Sequence, residues 1–105
     1  ATSADFATDV LATIAYLKTR TDVDFEHIFL LGHSEGGMIA PMVATQSADV
    51  AGIILMAGPG VDGGEVLLSQ QEAIAIANGV SMKDIEANKK LNSKLYELAT
   101  QYCPN

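Results

Sequence analysis

Between Ala4 and Thr19 the apolar residues Phe6, Val10, Ile14 and Leu17 recur at the spacing of one helical face. Asp5 and Asp9 stand near the start and Lys18 and Arg20 at the end, an arrangement that suits the helix dipole. Thr21 to Glu26 reads as a polar turn. Ile28-Phe29-Leu30-Leu31 then forms an unbroken apolar run closed by Gly32, the pattern of a strand buried on both faces. A second helix is predicted from Glu35 to about Gln46, and Gly52 to Ala57 gives another short apolar strand. Strand, helix and strand make a parallel βαβ unit, whose crossover is right-handed and whose two faces both need cover. The first helix is expected on one face and the second helix on the other. Pro41 falls inside the second helix and cannot donate to the Gly37 carbonyl, so a kink or frayed turn is expected there.

Beyond the second strand, Gly58-Pro59-Gly60 and Gly63-Gly64 read as a loop and a boundary, dividing a core segment (1–60) from a helical segment (61–105). From Glu65 the pattern is helical, with Val66, Leu67, Ala73, Ile74 and Ala77 on one stripe and Gly79 at its close. Ser81 with Asp84 resembles a capping box opening a last helix through Ile85, Leu91, Leu95, Leu98 and Tyr102.

Composition narrows the partners. The chain has 105 residues, 49% of them hydrophobic, enough for one domain with a buried core. Its 13 acidic against 6 basic residues leave a net charge of -7, which repels phosphate backbones and anionic lipid, so neither nucleic acid nor a membrane is expected as a partner. The longest apolar run, around Ile53 to Ala57, is far shorter than the ~20 residues of a membrane span. Cys103 is the single cysteine and reads as a bystander thiol, with no internal disulfide. The chain opens on Ala1-Thr2-Ser3 without an initiator Met or an apolar signal core and reads as a processed or internal piece, which leaves cytoplasmic and exported localisation both open.

The chemistry lies in Gly32-His33-Ser34-Glu35-Gly36, a Gly-x-Ser-x-Gly motif extended by Gly37 and set directly after a buried strand and before a helix. A serine on such a corner takes a strained backbone while neighbouring chain passes close by, so Gly32 and Gly36 are expected to remove side chains that would clash. The corner presents the Ser34 hydroxyl as a nucleophile at the amino end of the next helix, where free N–H groups favour a developing oxyanion. The N–H of Glu35 is the expected first donor. The Glu35 carboxylate reads as satisfying the helix N-terminus. His33 is too close along the chain to act as base on Ser34 and reads as a packing residue, and His27 stands at the wrong end of the strand. The alternative is an ordinary glycine-rich turn capped by Ser34.

The stretch from Asp5 to Gly60 resembles the α/β-hydrolase superfamily, and Gly32 to Met38 with Ala40-Pro41 resembles bacterial serine esterases and the serine aminopeptidase and dienelactone-hydrolase-like groups. The helices after Glu65 resemble the helical lid that many members insert. The resemblance implies a triad in the chain order Ser, acid, His. Both histidines precede Ser34, and Asp62, Glu65, Glu72 and Asp84 fall in the loop or the lid-like helices, so the triad acid and base are expected outside residues 1–105.

The function implied is a serine hydrolase, foremost a carboxylic ester hydrolase, acting through an acyl-enzyme on Ser34 with a small-molecule ester or amide as substrate. A serine peptidase is the alternative within the fold, and a non-catalytic interaction module the alternative outside it. No cofactor or metal is expected; the Gly58 to Gly64 loop lacks the Lys-Ser or Lys-Thr pair of a P-loop and misses the dinucleotide spacing. A two-stranded sheet with open edges is expected to make the chain self-associate.

Overall fold

A computed structural model describes residues 1–102, so Cys103 lies outside the described residues. The elements run α1 (Ser3–Leu17), β1 (Ile28–His33), α2 (Gly36–Gln46), β2 (Val50–Met56), α3 (Gly63–Ala77) and α4 (Met82–Tyr102). They form two compact units, Ala1–Pro59 and Gly60–Asn105. Among the described residues, no helix is long and apolar enough to cross a membrane.

In the first unit, α1 is opened by a capping box between Thr2 and Asp5. The Thr2 side chain accepts from the Asp5 N–H at 3.3 Å, while Asp5 Oδ2 accepts from the Thr2 N–H at 2.7 Å, so two orphan amides are satisfied reciprocally. β1 and β2 pair in parallel as the βαβ pattern predicts, with Leu30 opposite Ile53, Leu31 opposite Ile54 and His33 opposite Met56. The register slips between Ile28 and Phe29.

The core corrects the expected layering. Ala7 and Ile14 of α1, Ile28 of β1 and Val43 of α2 form one buried cluster, against which Val10, Leu30, Ile39 and Val50 pack. Both helices therefore cover the same face of the sheet, α2 lying on both strands and α1 on α2. Because side chains alternate along a strand, the opposite face carries Phe29, Leu31, Ile54 and Met56, which are 59%, 63%, 51% and 51% exposed. The expectation that β1 is buried on both faces thus fails within this chain. An unbroken apolar run says that both faces are fit for burial; it does not say which element does the covering. Full burial of Val43 contributes about 1.5–3 kcal/mol, and it sits where α1, α2 and β1 converge.

α2 continues through Pro41 to Gln46. Pro41 lies past the first turn, so the Gly37 carbonyl loses the amide donor four residues on.

In the second unit, α3 begins at Gly63, earlier than the expected Glu65. Asp62 is the reason: its Oδ1 accepts from the Glu65 N–H at 3.1 Å, a cap strong enough to draw Gly63 and Gly64 into the first turn. Gly79 at φ +76° turns the chain out of α3. The Asp84 N–H donates to Ser81 Oγ at 3.3 Å, and the Ser81 hydroxyl donates to Asp84 Oδ2 at 2.8 Å. Ser81 therefore caps α4 as expected, but the Asp84 carboxylate takes the hydroxyl instead of the Ser81 amide. α3 and α4 pack through Ile85 and a polar set: Lys89 to Glu72 at 2.9 Å, Asn92 to Gln71 at 2.8 Å, and Gln71 to Tyr96 at 3.0 Å. A groove of about 230 Å³ runs beside these residues. Leu67 and Ile74, which share the apolar stripe of α3, are 46% and 61% exposed.

Candidate active site

Ser34 follows the last residue of β1 and precedes α2, and its backbone is left-handed at φ +55°. That conformation is costly for a residue with a Cβ, of the order of 1–3 kcal/mol, and it persists only where the surroundings over-determine it. Here the determinants are visible. The Ser34 N–H donates to the Met56 carbonyl at 3.0 Å, tying the corner to the end of β2, and the Ser34 carbonyl accepts from the Gly37 N–H at 2.9 Å, tying it to the first turn of α2. The side chain is exposed.

The glycines around it do unequal work. A Cβ on Gly32 would come within 2.0 Å of the Gly36 carbonyl oxygen and 2.8 Å of the Gly37 nitrogen, so no side chain fits where the strand passes under the helix start. A Cβ on Gly37 would come within 2.4 Å of Gly58 Cα, because the segment leaving β2 crosses α2 backbone to backbone. Gly36 is the correction: a Cβ there meets nothing within 4 Å in this chain, so the clash expected at the second glycine of the motif falls instead on Gly37. The reason is that Gly36 contributes its carbonyl, not its Cα, to the crowding around Gly32.

Among the described residues, Ala57, immediately after β2, is the other non-glycine residue with positive φ, at +49°. It turns the chain into Gly58 and so sets the approach to Gly37. Nothing in the residue type signals this; a glycine soon after the strand was the available clue to a close crossing.

At the amino end of α2, the Gly37, Met38 and Ile39 amides donate to Ser34 and Glu35 carbonyls. Among the described residues, the N–H groups of Glu35 and Gly36 have no backbone acceptor. Glu35 itself makes no side-chain cap bond to α2. Its Oε1 accepts from Ser3 Oγ at 2.8 Å, which corrects the expectation that the carboxylate satisfies its own helix. No sequence signal could reveal this pair, whose members lie 32 positions apart.

The histidines stand apart from this chemistry. His27 precedes β1, at the end opposite Ser34, and its Nδ1 lies 2.7 Å from Asp24 Oδ2. That hydrogen bond, helped by the Glu26 N–H, holds the Asp24 carboxyl below the usual carboxylate range. His33 ends β1 and is exposed. Among the described residues, Ser34 Oγ is hydrogen-bonded to neither.

Parallel strands bridged by a helix, with a strained serine at the corner, define a mixed α/β chain compatible with a piece of an α/β-hydrolase-like domain. Residues 12–102 match the family model described as BAAT / acyl-CoA thioester hydrolase C terminal, and the chain belongs to that α/β-hydrolase-like family. No curated protein and no solved structure matches the chain. The family is one of hydrolases, which is the coarse activity that the motif implies.

Proposed function

We propose that Ser34 is the nucleophile of a serine hydrolase that cleaves a carboxylic ester or acyl thioester through an acyl-serine intermediate. One observation carries the reading: Ser34 sits exposed at φ +55° on a strand-to-helix corner, beside the Glu35 and Gly36 amides that claim no backbone acceptor. In the reaction, a base removes the Ser34 Oγ proton as Oγ bonds to the acyl carbon. The carbonyl oxygen becomes an oxyanion facing the Glu35 N–H, and collapse expels the alcohol or thiol, which takes a proton. Water then releases the acid by the same route. The family's description favours a thioester within this class. The resemblance to serine esterases and to dienelactone-hydrolase-like proteins favours an ester, and the serine aminopeptidase-like resemblance extends the class to amides.

The base and acid of the triad belong outside residues 1–105, because no histidine follows Ser34. An unactivated serine hydroxyl is a weak nucleophile at neutral pH, so the chain by itself is expected to be inactive. The same observation supports a second reading, a non-catalytic module that keeps the corner as structure. Fluorophosphonate labelling of the full-length gene product separates the two. The first reading requires covalent label at Ser34, lost in Ser34→Ala, together with hydrolysis of a short activated ester or thioester; a folded full-length protein that takes no label supports the second.

A further inference from the structure

Glu35 occupies an awkward position for an oxyanion site. It supplies one of the two free amides and carries a carboxylate on the same residue, at the amino end of a helix that ordinarily attracts an acidic side chain. A carboxylate folded back over the start of α2 would place a negative charge beside those amides and repel a developing negative charge. It does neither, because Ser3 Oγ donates to Glu35 Oε1 at 2.8 Å.

Ser3 is well placed for this. It is the first residue of α1, fixed there by the Thr2–Asp5 capping box, so the Glu35 carboxylate rests at the amino end of α1 instead of α2. It thereby keeps the favourable charge–dipole interaction of a helix N-terminus. Asp5, the other acidic group at that helix end, is engaged by the Thr2 N–H at 2.7 Å and the Thr2 hydroxyl at 3.2 Å, which leaves the Ser3 hydroxyl for Glu35. α1 is in turn anchored on α2 through the Ala7, Ile14 and Val43 cluster, so both partners ride on one packed unit.

We propose that Ser3 is a positioning residue that holds the Glu35 carboxylate away from the Glu35 and Gly36 amides and so keeps them open for the anion formed at Ser34. This rests on the reading of Ser34 as the nucleophile. It assigns a role to the side chain of a motif position for which the chemistry itself needs only the backbone.

The test uses an anion placed at the corner. In a Cys103→Ser background, Ser34→Cys puts a thiol at the corner, and the pH dependence of its alkylation by iodoacetamide reports its pKa. Removing the tether with Ser3→Ala frees the carboxylate to approach, which is expected to raise that pKa by about 0.5 and slow alkylation at neutral pH by about 2–3-fold. Glu35→Gln keeps a partner for Ser3 and removes the charge, so in its presence Ser3→Ala is expected to have no effect. In the full-length protein, Ser3→Ala is expected to lower kcat about 3–10-fold with KM unchanged, and Glu35→Gln to restore it. A thiol pKa unmoved by Ser3→Ala, or moved equally with Glu35→Gln present, overturns the proposal. Wild-type Ser34 labelling by fluorophosphonate is read separately. Labelling with an unresponsive thiol sinks the role of Ser3 alone; a responsive thiol without labelling sinks the nucleophile while the placement of the carboxylate stands.

Discussion

Gly37 and Gly58 touch backbone to backbone: a Cβ added to Gly37 would reach within 2.4 Å of Gly58 Cα, where the chain leaving β2 crosses the start of α2. Together with the Ser34 N–H bond to the Met56 carbonyl, this crossing clamps the corner between the end of β2 and the first turn of α2. Gly37→Ala must push the two segments apart and is expected to destabilise by about 1–3 kcal/mol. Gly36→Ala meets open space and gains helix propensity, so it is expected to be neutral or stabilising by up to about 1 kcal/mol. Urea unfolding of the two variants checks the contrast. Equal destabilisation would show that the motif's second glycine is crowded after all.

Ser34 stores strain at φ +55°, and glycine adopts that conformation without steric strain, at a smaller entropic cost that arises in the unfolded chain. Ser34→Gly is expected to stabilise the fold by about 1 kcal/mol while removing the nucleophile, whereas Ser34→Ala keeps the strain and stays close to wild type. Thermal unfolding of both variants tests this. A loss of stability in Ser34→Gly would mean that the hydroxyl makes an interaction that outweighs the strain.

Much of this architecture is written in local pattern. The spacing of Phe6, Val10, Ile14 and Leu17 marks α1, the apolar run Ile28 to Leu31 marks β1, and the glycine-serine-glycine corner lies between strand and helix where the periodicity places it. Cap chemistry is local too: Thr2 with Asp5, and Asp62 with Glu65, stand at the spacing of helix starts. Only Gly63 and Gly64, a pair typical of loops, mask the start of α3. What local pattern does not carry is the assignment of covering elements to sheet faces. α1 and α2 share a face because Ala7 and Ile14 fit against Val43, a contact set by shape across more than 25 residues of chain. The Ser3–Glu35 bond and the Gly37–Gly58 crossing are of the same kind, long-range consequences of packing that no window of sequence contains.

The Asp24–His27 pair gives the amino end of β1 a pH dependence. The hydrogen bond from the His27 ring, and secondarily the Glu26 N–H, lowers the Asp24 pKa in the folded chain. The stabilisation is therefore fully present above the ordinary carboxylate pKa and is lost as pH falls through the depressed folded value. Both side chains are about two-thirds exposed, so the effect is a small one. An NMR titration should place the Asp24 midpoint below the usual carboxylate range and return it upward in His27→Asn. A midpoint that ignores the substitution would remove His27 as the cause.

The uncovered sheet face makes the last expectation. Phe29, Leu31, Ile54 and Met56 present a contiguous apolar surface on the side of the sheet away from α1 and α2, with exposures between 51% and 63%. Contiguous apolar surface of this kind is unusual on a stable monomer. The sheet has only two strands, so each also has an edge with unpaired backbone groups. A second copy of the chain supplies the same face and the same edges, and the two routes of association separate by mutation. Leu31→Lys puts a charge at the centre of the face without touching the α1–α2 core, so it should weaken face-to-face association while leaving the unfolding midpoint nearly unchanged. Edge pairing would survive that substitution. Sedimentation at micromolar concentration is expected to show species larger than the monomer for the wild-type chain and a shift toward monomer in Leu31→Lys. A wild-type chain that sediments as a monomer would mean that the face tolerates water as it stands, and association unchanged by Leu31→Lys would move the contact to the strand edges.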